Sequence, residues 1–263
     1  MSEFLFRCKT DNACHIKTMS EVISNILKSS FWEIGKDGIK MTMFDQNRKT
    51  MVSIQLDSIN FSLFQNNSTD DIFMGMNSTH LYKMLKSIKK KDTVELFILV
   101  SEPSVLNIRT IPVDQGRITT SSIKIQSVQN LDVNYPSGFT NSVVIRSSDF
   151  QKMVKDLTLL GSGEVKISDK SGVITFSTDA GGIMKRGITL GEENEMLSPE
   201  EHVSTFDMNQ FERIYKISSL CECMYLFPST PELPFRISTR VGNLGEMSIY
   251  IKSNEIIELE KDI

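Results

Sequence analysis

The chain is 263 residues long, enough for one large domain or two of ordinary size, and its 40% hydrophobic and 24% charged content excludes general disorder. No apolar run approaches the roughly 20 residues of a membrane helix, and Met1 to Lys17 lacks the apolar core of a signal peptide, so a soluble, intracellular protein without a membrane partner is expected. A net charge of −4 argues against nucleic acid as a partner unless positive charge is segregated on one surface.

The first helical pattern runs from Ala13 to Lys28, where Ile16, Met19, Val22, Ile23, Ile26 and Leu27 recur at helical spacing. A hairpin follows, Phe31-Trp32-Glu33-Ile34 and Ile39 to Phe44, around Gly35-Lys36-Asp37-Gly38, an Asp-Gly turn that tolerates positive φ. Phe73 to Asn77 then enters a second helix, Ser78 to Ile88, with Ser78 or Thr79 as N-cap. Thr93 to Leu99 and Val105 to Arg109 read as strands about a Glu102-Pro103 turn. A polar connector, Gln126 to Asn141, contains Pro136-Ser137-Gly138.

The same order then recurs. Ser148 to Leu160 is a third helix, ending at Gly161, and Glu164 to Ser168 and Val173 to Phe176 form a hairpin about Asp169 to Gly172. Phe206 to Asn209 enters a fourth helix, Gln210 to Ser219, and Met224 to Phe227 and Leu233 to Ser238 flank a Thr230-Pro231 turn. Two copies of helix, hairpin, helix, hairpin predict an α+β fold of two similar domains, 1–125 and 142–263, joined by the connector 126–141. Each domain is expected to hold antiparallel sheets with its two helices packed on one face.

The outward helix faces are basic. Lys17 and Lys28, with Ser24 between, fall on one side of the first helix; Lys83 and Lys86 precede the run Lys89-Lys90-Lys91 on the second. Lys152 and Lys155 decorate the third, and Arg213 and Lys216 the fourth, so three helices show an i, i+3 basic pair. Acidic residues gather elsewhere, at Glu192, Glu193, Glu195, Glu200, Glu201 and from Glu255 to Asp262. Lysines without aromatic partners suit sequence-independent phosphate contact, and no base-reading motif is visible.

Catalysis is not expected. His15, His80 and His202 are scattered, and Gly161-Ser162-Gly163 and Gly181-Gly182 make neither a phosphate loop nor a dinucleotide fingerprint. Cys8, Cys14, Cys221 and Cys223 suggest neither a disulfide framework nor a zinc site, so no cofactor or metal is expected.

Collinear segments resemble the proliferating cell nuclear antigen family of sliding clamps, found in eukaryotes, archaea and viruses. They include Phe31 to Ile34 through Phe44-Asp45, Met74 to Asn77 with Lys83 to Lys86, and Phe150 to Leu157 with Gly161. Gly172 to Phe176, Leu233-Pro234-Phe235 and Leu244 to Tyr250 complete the set. The resemblance implies a ring, usually of three subunits, with helices lining the hole around double-stranded DNA. It makes Lys17, Lys28, Lys83, Lys86, Lys152, Lys155, Arg213 and Lys216 the DNA-facing residues. It further implies a homotrimer closed by strands near Arg117 to Ile125 and Lys185 to Leu190, and a separate clamp loader. A front-face apolar pocket would hold the 3₁₀ turn of PIP-box peptides from a DNA polymerase and other partners. By position it comprises Phe44, Met51, Val133, Tyr135, Pro136, Pro234 and Tyr250, framed by Asn130 to Val133. Lys49 stands where the family has a small apolar residue, and Lys252 where it has alanine. The implied location is the nucleus, or for a viral protein the host nucleus or a cytoplasmic replication site. A subunit of a heterotrimeric checkpoint ring and a non-encircling viral scaffold remain alternatives.

Overall fold

The computed structural model describes residues 3–129, 133, 135–139, 142–193 and 201–261; the connector residues Asn130, Leu131 and Asp132, and Glu195 and Glu200, lie outside the described residues. The first half runs β1 (Phe4–Thr10), α1 (Ala13–Ile26), β2 (Ser29–Ile34), β3 (Gly38–Phe44), β4 (Thr50–Asp57), β5 (Leu63–Asn66), β6 (Ile72–Asn77), α2 (Ser78–Leu85), β7 (Thr93–Leu99), β8 (Glu102–Ile111), β9 (Thr119–Lys124) and β10 (Gln126–Ser127). The second runs β11 (Val143–Arg146), α3 (Ser147–Thr158), β12 (Glu164–Lys170), β13 (Val173–Ala180), β14 (Met184–Gly191), β15 (His202–Asp207), α4 (Met208–Ile214), β16 (Cys223–Phe227), β17 (Phe235–Arg240), β18 (Gly245–Ile251) and α5 (Asn254–Leu259).

Strand order repeats as element order does. The run β1-β7-β8-β9 in one half is matched by β11-β16-β17-β18 in the other, and β6-β2-β3-β4 by β15-β12-β13-β14. The pairings are antiparallel, as expected for hairpin-connected strands. The chain folds into two compact units, one of Met1–Met43, Val52–Val133 and Arg240–Met247, the other of Phe44–Met51, Asn134–Thr239 and Ser248–Ile263.

In the first unit α1 lies against α2. Ile16 and Met19 from α1 and Leu81 and Leu85 from α2 meet Phe6, Leu96 and Leu106 of one sheet and Trp32, Ile39 and Met74 of the other, around a cavity of about 40 Å³. Their alternation along the strands and 3.6-residue spacing along the helices put these side chains inside, with Leu96 half-buried at the margin. In the second unit Phe176, Phe206, Phe211 and Phe235 pack ring against ring, with centroids 5.9 to 6.2 Å apart. Full burial of such a side chain contributes about 1.5–3 kcal/mol.

Helix ends differ from the sequence expectation at several points. The α2 N-cap is Asn77, whose side chain accepts from the His80 N–H at 2.9 Å, rather than Ser78 or Thr79. Asp207 caps α4 in the same way, accepting from Asn209 N–H, and starts that helix at Met208. A strand-terminal Asx residue begins a helix because its short carbonyl reaches an orphan N–H. Helix α1 stops at Ile26 and Leu27 is already extended, so Lys28 stands outside the helix on which its spacing had placed it. Beyond Ile214 the fourth helix tightens into a 3₁₀ turn, Tyr215–Ser219, which carries Lys216. Pro103 falls inside β8 instead of in the turn before it. Gly38 is required where it stands, since a Cβ there would lie 2.0 Å from the Leu56 carbonyl oxygen of β4.

Three sheet edges bear on function. β9 ends the run β5-β1-β7-β8-β9, and β14 and β15 end the four-stranded sheet β14-β13-β12-β15. β15 is covered by the C-terminal helix: Glu255 accepts from the Thr205 N–H at 3.0 Å, and Ser253 caps α5 by accepting from Ile256 N–H. Among the described residues no helix is long and apolar enough to cross a membrane.

Candidate nucleic-acid and partner-binding surfaces

The basic residues sit on or beside the helices, in unequal states. Lys83, on α2, and Lys86, at its C-cap, are exposed, as are Lys28 and the run Lys89 to Lys91. Lys152 and Lys155 are exposed on α3, whose buried face is Phe150, Met153, Val154 and Leu157. Arg213 is exposed near the end of α4, while Lys216 is half-buried with its ammonium 5.5 Å from the Tyr215 ring centroid. Lys17 is half-buried and donates to the Ile88 carbonyl at 2.6 Å, tying α1 to the segment after α2. One such bond leaves two of its three N–H donors for another acceptor.

Acidic side chains also reach these faces. Asp149 lies 3.3 Å from Arg146 and 4.0 Å from Lys152, so Lys152 is partly neutralised at home. Glu21 on α1 accepts from the Tyr82 hydroxyl on α2; burial first, then the Glu21 charge, holds that phenol above its usual range. Lys90 faces His15, and burial together with that ammonium keeps the imidazole below its ordinary pKa of 6.5. Cys8 is buried, Cys14 and Cys221 are half-buried and Cys223 is exposed, all as free thiols.

The residues assigned to the partner pocket divide into two groups. Met51, Pro234 and Tyr250 are buried, Phe44 and Pro136 are half-buried, and Tyr135 is 52% exposed. All of these belong to the second compact unit; Val133, half-buried, belongs to the first. At Phe44 two cations lie over one ring: the Arg48 guanidinium 5.2 Å and the Lys252 ammonium 5.7 Å from its centroid. Asp45 shapes the intervening turn, accepting from the N–H groups of Lys49 at 2.8 Å and Thr50 at 2.9 Å, with Arg48 at φ +54°. Lys252 is anchored from both sides, its N–H donating to Lys49 C=O at 2.9 Å and its ammonium to Glu260 at 2.5 and 2.7 Å.

The second group surrounds Tyr250. Phe139 packs 5.9 Å from Tyr250 and 5.8 Å from Phe227, and the Arg236 guanidinium lies 4.7 Å from the Phe227 centroid and 5.5 Å from Tyr250. Arg236 also donates to Ser248 Oγ at 3.1 Å. Sequence reasoning missed Arg48, Phe139, Phe227 and Arg236. A signal existed for one pair only: Phe235 faces the core, so its neighbour Arg236 points to the other side of β17, opposite Phe227 in the register.

A duplicated α+β module with helices paired in each copy, basic residues on those helices and an aromatic cluster of Phe139, Phe227 and Tyr250 defines the subunit of a DNA clamp. Residues 5–135, about half of the chain, match the family model of the proliferating cell nuclear antigen N-terminal domain. Over 257 residues the chain is 21% identical to the proliferating cell nuclear antigen of Chaetomium thermophilum, covering 94% of this chain and 97% of that one. Over 252 residues it is 21% identical to the DNA polymerase sliding clamp of Nitrosopumilus maritimus, with the same coverage. A probable DNA polymerase sliding clamp of Paramecium bursaria Chlorella virus 1 is 18% identical over 255 residues, 94% of this chain and 96% of the relative. The chain belongs to the proliferating cell nuclear antigen family of sliding clamps.

Proposed function

We propose that three copies of this chain form a ring that encircles double-stranded DNA and tethers a DNA polymerase to it. The observation that carries the ring is the equivalence of strands. In the first compact unit the end of β4 reaches β18, where Asp57 N–H donates to Leu244 C=O at 2.9 Å. By strand order the counterpart of β4 is β14, and the counterpart of β18 is β9. Both counterparts are sheet edges, and the same pairing made between copies would satisfy their open backbone groups while closing a ring.

DNA-facing roles then go to Lys17, Lys28, Lys83, Lys86, Lys152, Lys155, Arg213 and Lys216, in domains 1–125 and 142–263 joined by the connector 126–141. Held by topology, the duplex needs only weak, sequence-independent phosphate contacts, which permit sliding. The pocket of Phe44, Met51, Val133, Tyr135, Pro136, Pro234 and Tyr250 would receive PIP-box peptides, raising a polymerase's concentration at the primer end. In this reading the chain performs no chemistry and depends on a separate clamp loader, at a nuclear or viral replication site. The family names of the relatives favour this over a checkpoint subunit or a non-encircling scaffold. Light scattering tests the ring: a mass three times the 29.8 kDa chain is expected, and a monomer at micromolar concentration would contradict it.

A further inference from the structure

The proposed partner pocket carries positive charge of this chain's own. Arg48 and Lys252 both lie over the Phe44 ring, within 5.2 and 5.7 Å of its centroid, and Lys49 is joined to Lys252 through the backbone. Two cations thus face one apolar anchor ring; the nearby Asp45 carboxylate is taken up by the Lys49 and Thr50 N–H groups, and Glu260 is held by Lys252. Lys252 retains only 17% side-chain exposure, so its charge is poorly hydrated and gains from an anionic partner. Glu260 is 53% exposed and arrives on a short helix, α5, in which Ile256 is the only buried residue. Freeing Lys252 requires only that the exposed Glu260 side chain turn away, while α5 stays on β15 through Glu255.

We propose that Lys252 and Arg48 form a carboxylate subsite beside the Phe44 anchor position, selecting partner peptides with an acidic residue next to their aromatic anchor, and that Glu260 fills this subsite until such a peptide displaces it. The inference rests on the pocket reading above and adds its preferred partner chemistry and an internal competitor. The exchange is one carboxylate for another on the same ammonium. It leaves the apolar contacts of the anchor unchanged, so charge tunes affinity while the anchor sets it.

The test uses two synthetic peptides that present an aliphatic and an aromatic anchor in one helical turn. They are identical except that Asp or Asn follows the aromatic residue. Titration calorimetry with the full chain should show the Asp peptide binding about threefold to tenfold more tightly, the range of a partly buried ion pair. Lys252→Ala should bring the two peptides to within about twofold of each other. Glu260→Gln should tighten the Asp peptide about twofold to fivefold and leave the Asn peptide unchanged. A preference that survives Lys252→Ala, or no effect of Glu260→Gln on the Asp peptide, overturns the proposal. Failure of both peptides to bind the wild-type chain would instead refute the underlying pocket. Lys252→Gln, which keeps a polar side chain of similar length, separates loss of charge from loss of fold, with thermal melting as the check.

Discussion

Reversing two of the charges proposed to face DNA, Lys83→Glu together with Lys155→Glu, tests whether the helix faces meet it. These positions are preferred to three cations that are partly committed: Lys17 to Ile88, Lys152 to Asp149, Lys216 to the Tyr215 ring. Lys83 and Lys155 are exposed on α2 and α3. With three copies in the proposed ring, and about one lining side chain in three touching phosphate at once, the double variant loses about two phosphate contacts. Each contact contributes about 0.9 to the slope of log affinity against log salt, so the slope should flatten by about 1.8. Between about 50 and about 200 mM salt, wild-type affinity should then fall about tenfold more than that of the variant. Fluorescence anisotropy with a short labelled duplex measures this, and light scattering checks that assembly is intact. An unchanged slope in a variant of unchanged mass would refute the assignment of these helices to DNA.

Glu95 is 2% exposed between Arg7 and Arg109, the latter 2.9 Å away, and Glu95→Gln should lower urea-unfolding stability by about 1–3 kcal/mol, whereas a change below about 0.5 would show that the arginines repair the loss. His15 is held neutral in the fold by burial and by Lys90, while the unfolded imidazole takes up a proton as pH falls through 6.5. Its contribution is therefore present above 6.5 and lost below, and His15→Gln should narrow the Tm difference between neutral and mildly acidic pH; an unaltered difference would remove His15 from the account. Glu255→Ala uncovers the β15 edge at Thr205 and should produce concentration-dependent association beyond the trimer in sedimentation, which a second substitution, Val203→Lys, should suppress; a variant that sediments as wild type would mean the edge is blocked some other way.

Much of the fold was legible because its signals are local. The helix stripes of α1 and α3, and the Asp-Gly turn before β3, are short-range patterns, and their repetition along the chain exposed the duplication. What escaped depends on contacts distant in sequence or on single hydrogen bonds. The α2 and α4 caps are side-chain bonds from strand residues, Asn77 and Asp207, which pattern alone assigns to the strand. Lys28 kept helical spacing through the end of α1 because periodicity does not report where φ and ψ leave the helix. The basic residues were readable as a set, but not their partners: only the fold reveals that Lys17 meets Ile88 or that Lys152 shares Asp149. Around the pocket, Lys252 was visible as a departure from the family, whereas the Arg48 and Glu260 that give it meaning come together only through the Asp45 turn and α5.

The most direct test is topological. The chain is loaded by a compatible loader onto nicked circular DNA, the complex is isolated by gel filtration in high salt, and the circle is then cut once with a restriction enzyme. Protein should stay with the intact circle and be released on linearisation. Equal loss from circle and linear DNA in high salt, or retention on the cut molecule without blocked ends, would contradict an encircling clamp.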